Sequence, residues 1–203
     1  MKFSEKEIVD LIKAWFLISL AFAILFSGGL AGITSFTLFL YSFIISGLTV
    51  GISFLVHELC HKFFAMRYGF EAEFRSFDKM LFLAVAMSFF GFILAAPGAV
   101  MIKAFGISKE KNGKISLSGS ASNIFLAFIF LFLMITIVAE GFLETFLIYG
   151  LRINALLAVF NFIPAGGFDG RKIYEWNQGI WIVGMAVSAL LFILSFWILP
   201  AIL

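Results

Sequence analysis

The chain contains two histidines, and they stand four residues apart in Val56-His57-Glu58-Leu59-Cys60-His61. Residues at i and i+4 share one face of a helix, so both imidazoles can reach the same ion. Glu58 is then angled to one side, where a carboxylate can take a proton from a metal-bound water. The setting sharpens this reading. No charged residue occurs from Ala14 to Val56, and then His, Glu and His arrive together. Ionisable side chains are costly in hydrocarbon and mark function there. The bland alternative is a buried His/Glu cluster satisfied by hydrogen bonds alone, from which a membrane helix gains nothing.

Two histidines leave a catalytic zinc site one ligand short, because such sites use three protein ligands and keep a fourth position for water. The missing ligand has to be a carboxylate or Cys60, the single cysteine of the chain. Asp169 is the obvious carboxylate. It follows Pro164 and Gly166-Gly167, which should break a helix and leave irregular backbone at membrane depth. Such backbone is tolerated where it is buried in protein or lines a wet cavity. The competing reading of Asp169 is a plain helix end with a solvated carboxylate.

The elements that must position these residues are membrane spans. The 203 residues are 63% hydrophobic and 13% charged, with a mean hydropathy of +1.10, whereas soluble domains carry about 25% charge. The composition implies an all-α integral membrane protein and leaves no room for a soluble accessory domain, so residues 1–203 are expected to form a single membrane-embedded domain. The net charge is +2, and the basic residues sit in loops beside apolar runs, which gives no nucleic-acid footprint. The lipid bilayer is the expected surrounding partner. A lone cysteine excludes an internal disulfide.

Residues 1–13 alternate charged and apolar side chains and predict a short interfacial helix. Runs at 14–33, 36–66, 115–139, 146–163 and 180–199 predict about five full spans, the second carrying the histidines in its last third. Between the second span and the next, the fold class adds a re-entrant segment and a short β-hairpin. Asn112-Gly113 supplies the hairpin signal. Residues 146–163 are apolar except for Arg152, Asn154 and Asn161. The cost of a charge in lipid predicts Arg152 near the membrane surface opposite the metal, within reach of Glu140 or Glu144, with its helix starting at about that residue. Asn154 and Asn161 are seven apart and should share a face turned into the bundle.

The paired motifs resemble the site-2 protease family of intramembrane zinc metalloproteases. His57-Glu58-Leu59-Cys60-His61 is similar to its H-E-x-x-H stretch. Asn161-Phe162-Ile163-Pro164 with Phe168-Asp169-Gly170 is similar to its later N-x-x-P…D-G segment. Gly119 to Asn123 resembles the family's small-residue segment ending in Asn, and Ala96-Pro97-Gly98-Ala99 its re-entrant region, so the likeness covers about residues 36–172. The family most often has Gly where Cys60 and Arg171 stand. The resemblance implies one Zn2+ per chain held by His57, His61 and Asp169, with Glu58 as general base. It also implies Asn161, and with it Asn123, as polar groups that contact substrate or steady the site. The implied substrate is a transmembrane helical protein, whose scissile segment must unwind to reach the metal. A strand edge near 96–102 or 115–117 could clamp that segment.

The ligands also constrain topology. Lys62 and Arg67 follow the histidines, and Arg171 and Lys172 follow Asp169. The positive-inside rule makes that side cytoplasmic, in what is expected to be a prokaryotic cell membrane. For the ligands to meet, the two helices that carry them must run in the same direction. Residues 80–102 must therefore enter and return without crossing, with the turn expected near Pro97-Gly98. The rival class is a membrane-embedded metal-binding protein or metal transporter without protease activity. A transporter would want ligands without a base and would often show repeat symmetry; Glu58 and the lack of an internal repeat count against it.

Overall fold

The structure is a computed structural model that describes residues 1–30, 35–93, 97–104 and 106–197. Among the described residues, five helices are long and apolar enough to cross a membrane, and a two-stranded antiparallel sheet lies between the second and the third of them.

Helix α1 (Glu5–Phe26) is capped by Ser4, whose hydroxyl accepts from the Glu7 amide at 3.2 Å. It runs unbroken from its charged first turns into the apolar run, so the interfacial helix expected over 1–13 is instead the start of the first span. Burial explains the difference. Glu7 is fully enclosed and Asp10 nearly so. The Glu7 carboxylate accepts from Lys62 Nζ at 2.5 Å and from the Phe74 amide at 2.9 Å. Asp10 accepts from the Ser76 hydroxyl at 3.0 Å and pairs with Lys13 at 3.2 Å. The charges that read as an interfacial stripe are internal partners.

The second span is α2 (Phe36–Ser46) and α3 (Ile52–Arg67), joined through a π-helical turn at Gly47–Gly51. Trp15 of α1 donates its indole N–H to the Gly47 carbonyl at 3.1 Å. A methyl on Gly51 would fall 2.5 Å from the Trp15 ring. A π turn inserts one residue and swings the following face by roughly 100°. That swing sets which side of α3 carries the histidines. The apolar core here joins Ala14 and Ile18 of α1 with Val50, Phe54, Leu81 and Ile153.

Strands β1 (Glu71–Ser76) and β2 (Gly98–Lys103) pair antiparallel, Phe74 opposite Val100 and Ser76 opposite Gly98. Between them α4 (Asp78–Ser88) runs beside α1, and the Phe89 carbonyl lies where a side chain on Gly29 would be. The segment thus leaves and returns to one place without crossing, as expected. Its reversal is not at Pro97-Gly98: the Pro97 carbonyl already accepts from the Phe77 amide at 3.0 Å, back at the sheet. The reversal follows Ser88, where Gly91 takes a left-handed φ of 85°. Residues 94–96, including Ala96 of the expected strand edge, lie outside the described residues.

Helix α5 (Lys109–Thr136) begins at Ser108 and includes Asn112, Gly113 and residues 115–117. The hairpin turn expected at Asn112-Gly113 is therefore helix, and so is the second strand edge. Gly113 serves close packing, since a Cβ there would fall 2.4 Å from Trp176 Cβ. Helix α6 (Gly141–Asn161) is a full span, so it starts well before Arg152. Arg152 Nε donates to the Ser195 carbonyl at 3.3 Å, and its guanidinium lies 4.6 Å from the Phe196 ring centroid. Its partners are the last turn of α8 (Gln178–Trp197), not Glu140 or Glu144. A cation at a helix C-terminus meets the orphan carbonyls and the negative end of the dipole. Helix α7 (Asp169–Trp176) lies between α6 and α8 in the chain.

The Glu7–Lys62 pair is buried on both sides, and losing one partner of such a pair costs about 3–5 kcal/mol. Glu7→Gln should lower the unfolding temperature of the detergent-solubilised protein markedly. Glu7→Gln with Lys62→Met should recover most of that loss. An unchanged unfolding temperature for the single variant would show that the pair does not hold α1 to α3.

Candidate metal centre

Helices α3 and α5 and the first residue of α7 build the site. His57, Glu58, His61 and Asp169 are each at most 8% exposed. One ligand atom from each of His57, His61 and Asp169 lies within 4.8 Å of the others. His57 Nε2 is 2.9 Å from His61 Nε2, and Asp169 Oδ2 is 3.3 Å from the first and 2.9 Å from the second. Ligands about 2.0–2.1 Å from a tetrahedral zinc stand about 3.3 Å apart. The three atoms therefore fit a zinc ion with little movement.

The far side of each imidazole is anchored. His61 Nδ1 stands 2.8 Å from the Ile115 carbonyl, and His57 Nδ1 stands 2.6 Å from Asn123 Oδ1. A carbonyl only accepts, so His61 Nδ1 carries the proton and its Nε2 lone pair faces inward. Metal-binding histidines are held in this way by groups behind them. Across the bundle, α5 presents Gly119: a Cβ there would fall 2.4 Å from His61 Nε2 and 2.8 Å from His57 Nε2. Any larger residue would occupy the space in front of both ligand atoms. Glycine is the residue that keeps it open.

Asp169 is delivered by the break after α6. Gly166 takes a left-handed φ of 57°. Gly170 abuts the Phe162 carbonyl so closely that a Cβ would fall 2.2 Å from its oxygen. That carbonyl also accepts from the Trp181 indole at 2.7 Å, so Gly170 meets a close-packing requirement next to the candidate ligand Asp169. Asp169 Oδ2 faces both Nε2 atoms, and burial works against leaving its charge without a partner. Lys172 Nζ lies 3.7 Å from Oδ1, the oxygen turned away from the histidines. Asp169 is thus a buried member of the cluster rather than a solvated helix end.

Glu58 follows His57 on α3, and His57, Asp169 and the Val100 backbone of β2 lie near its carboxylate. Its Oε2 is buried and finds no hydrogen-bond partner among the described residues. A buried acceptor left free is costly and calls for an explanation; here the free oxygen belongs to the residue expected to handle protons. Cys60 is half-buried and is not one of the clustered ligands.

Asn123 and Asn161 separate in kind. Asn123 is fully buried, with Oδ1 on His57 and Nδ2 donated to Asn154 Oδ1 at 3.1 Å. Asn161 is half-buried at the end of α6 and donates to the Leu157 carbonyl of its own helix at 3.0 Å. Asn154 points into the bundle as expected. Its link to Asn123, the role of the Ile115 carbonyl and the cradle at Gly119 are not visible in the sequence. Two asparagines in apolar runs were the available signal.

A protein of Methanocaldococcus jannaschii named "Putative zinc metalloprotease MJ0611" is 38% identical over 198 residues, which is 97% of this chain and 98% of the relative. The chain belongs to the site-2 protease family of intramembrane zinc metalloproteases. A Bacillus subtilis relative named "Putative zinc metalloprotease YwhC" is 28% identical over 145 residues, 63% of this chain and 66% of that protein. No family model matches the chain, and no solved structure matches it. In this site-2 protease family member, His57, Glu58, His61 and Asp169 of the resembling motifs are the residues that the fold brings together in a buried cluster.

The purified chain should bind zinc at about one ion per molecule. His57→Ala, His61→Ala and Asp169→Ala should each lower occupancy sharply in elemental analysis, and Gly119→Ala should do so while leaving the fold intact. Cys60→Ala should retain full zinc. Full occupancy in Asp169→Ala, or loss in Cys60→Ala, would overturn the ligand set.

Proposed function

We propose that the chain is an intramembrane zinc endopeptidase that hydrolyses a peptide bond within a transmembrane helix of a membrane-tethered substrate. The observation that carries this reading is the convergence of His57 Nε2, His61 Nε2 and Asp169 Oδ2 beside a Glu58 oxygen left free in a buried site. The names of the two relatives support it. When bound, zinc supplies Lewis acidity to a carbonyl oxygen and to water.

The chain's own residues do the rest. Glu58 accepts the proton of the water that attacks the scissile carbonyl carbon. It then gives that proton to the amine nitrogen as the C–N bond breaks, which completes the hydrolysis. Asn161, at the end of α6 beside the break that delivers Asp169, is the proposed substrate-contacting amide. Asn123 serves the substrate indirectly, by holding His57.

An unwound substrate segment needs backbone partners, and β2 offers them. The Phe74 amide donates to Glu7 rather than across the sheet, so the Phe74–Val100 pair is the non-hydrogen-bonded kind. Val100, and with it Gly98 and Ile102, therefore turns its N–H and C=O to the edge of β2 opposite β1. Val100 on that edge neighbours Glu58. An extended segment added to this edge would lie beside the metal, with its own backbone groups satisfied. The whole chain acts as one membrane-embedded unit in this account, in a prokaryotic cell membrane with the zinc end towards the cytoplasm. The basic residues around Lys62, Arg67, Arg171 and Lys172 support that orientation.

Glu58→Gln keeps the shape of the site and removes the proton acceptor. Cells carrying this variant should accumulate an uncut membrane protein that cells with the unaltered chain cleave, while the purified variant still binds zinc. Cleavage by a zinc-loaded Glu58→Gln protein would refute Glu58 as the base. Metal flux without cleavage in the unaltered protein would favour the transporter reading.

A further inference from the structure

We propose that Asn154, on α6 and away from the ligand set, is a positioning residue for the metal: it determines which nitrogen of His57 is free to coordinate. The inference rests on the zinc reading of the site and concerns a residue to which that reading assigns no role.

The relay starts at a backbone oxygen. Asn154 Nδ2 donates to the Gly150 carbonyl at 2.8 Å, and that carbonyl can only accept. The contact fixes the orientation of the Asn154 amide, leaving Oδ1 turned towards α5. Asn123 must then present its Nδ2, which it does at 3.1 Å. Its Oδ1 is left facing His57 Nδ1 at 2.6 Å. An oxygen there demands an N–H from the imidazole, so the proton resides on Nδ1 and the lone pair on Nε2, the atom that meets His61 and Asp169. Asn123 and Asn154 are both fully buried, so bulk solvent does not reach the links between them.

Asn123 alone does not suffice. An asparagine amide is nearly symmetric in shape, and a rotation by half a turn would place its NH2 against His57 Nδ1. Nδ1 would then have to accept, and the proton would move to Nε2, where the ion has to bind. The chain from Gly150 through Asn154 makes the productive orientation the satisfied one. His61 needs no such relay because the Ile115 carbonyl holds it directly. The two histidines therefore reach the same tautomer by different means. That asymmetry provides an internal control.

The test is nitrogen-15 NMR of the full chain labelled at histidine, with and without added zinc. The chain has only two histidines, so His61→Gln assigns the signals. The unaltered protein should show a slowly exchanging Nδ1–H on each ring. Asn154→Leu removes the acceptor at similar volume. It should weaken or abolish the Nδ1–H signal of His57, leave that of His61 in place, and reduce zinc affinity by about tenfold, the low end of effects seen for groups behind metal ligands. Asn154→Asp, protonated in this buried position, can donate to Gly150 and accept from Asn123, so it should restore both the His57 signal and zinc affinity. An unchanged His57 signal in Asn154→Leu would overturn the proposal. So would equal loss at both rings in the Leu and Asp variants, since that is general loosening. Failure of the unaltered chain to take zinc would instead count against the proposed function, and the tautomer comparison in the zinc-free protein would still judge the relay.

Discussion

Holding an ion inside an apolar bundle requires ligands whose only unspent polar atom is the one that coordinates. In hydrocarbon surroundings every other donor and acceptor must be paired within the protein. The arrangement around His57 and His61 meets this requirement by giving each ring a partner behind it, one a backbone carbonyl and the other a side chain. Asp169 keeps one oxygen for the site and turns the other towards Lys172. Much of the surrounding architecture follows from supplying these partners. Helix α5 runs antiparallel to α3, so Ile115 stands behind His61 while Asn123 stands behind His57, with Gly119 between them in front of both rings.

A second buried polar knot lies one residue beyond His61. Glu7 joins Lys62 of α3 to the Phe74 amide of β1. By taking that amide, it also fixes the phase of the sheet and so turns Val100 towards Glu58. A single carboxylate near the N-terminus therefore ties together the helix that carries the histidines and the strand pair that faces the base. Lys62 completes its own hydrogen bonding on the Lys2 carbonyl at 2.8 Å and over the ring of Phe3, 4.0 Å from its centroid. The first residues of the chain are thus part of the apparatus that sets the site.

The spacing of His57 and His61, the break before Asp169 and the run of apolar segments are local features, and they were legible in the sequence. So was the need for residues 80–102 to return without crossing, because the ligands must meet on one side. What was not legible depends on contacts between distant residues. Asn112-Gly113 has the composition of a turn, yet α5 continues through it because Trp176 needs the space that Gly113 leaves. Glu7 and Asp10 look like solvated interfacial charges until Lys62 and Ser76 arrive from far along the chain. Arg152 has no local clue to Ser195 and Phe196 as its partners. The pairing of Asn123 with Asn154 likewise exists only once α5 and α6 pack together.

The central claim is that His57, His61 and Asp169 form the first coordination shell of a zinc ion and that Cys60 is excluded from it. X-ray absorption at the zinc edge of the loaded protein reads that shell directly. The account predicts nitrogen and oxygen neighbours only, at about 2.0–2.2 Å, with the multiple scattering of two imidazoles. A sulfur neighbour at about 2.3 Å, or the signature of a single imidazole, would contradict it.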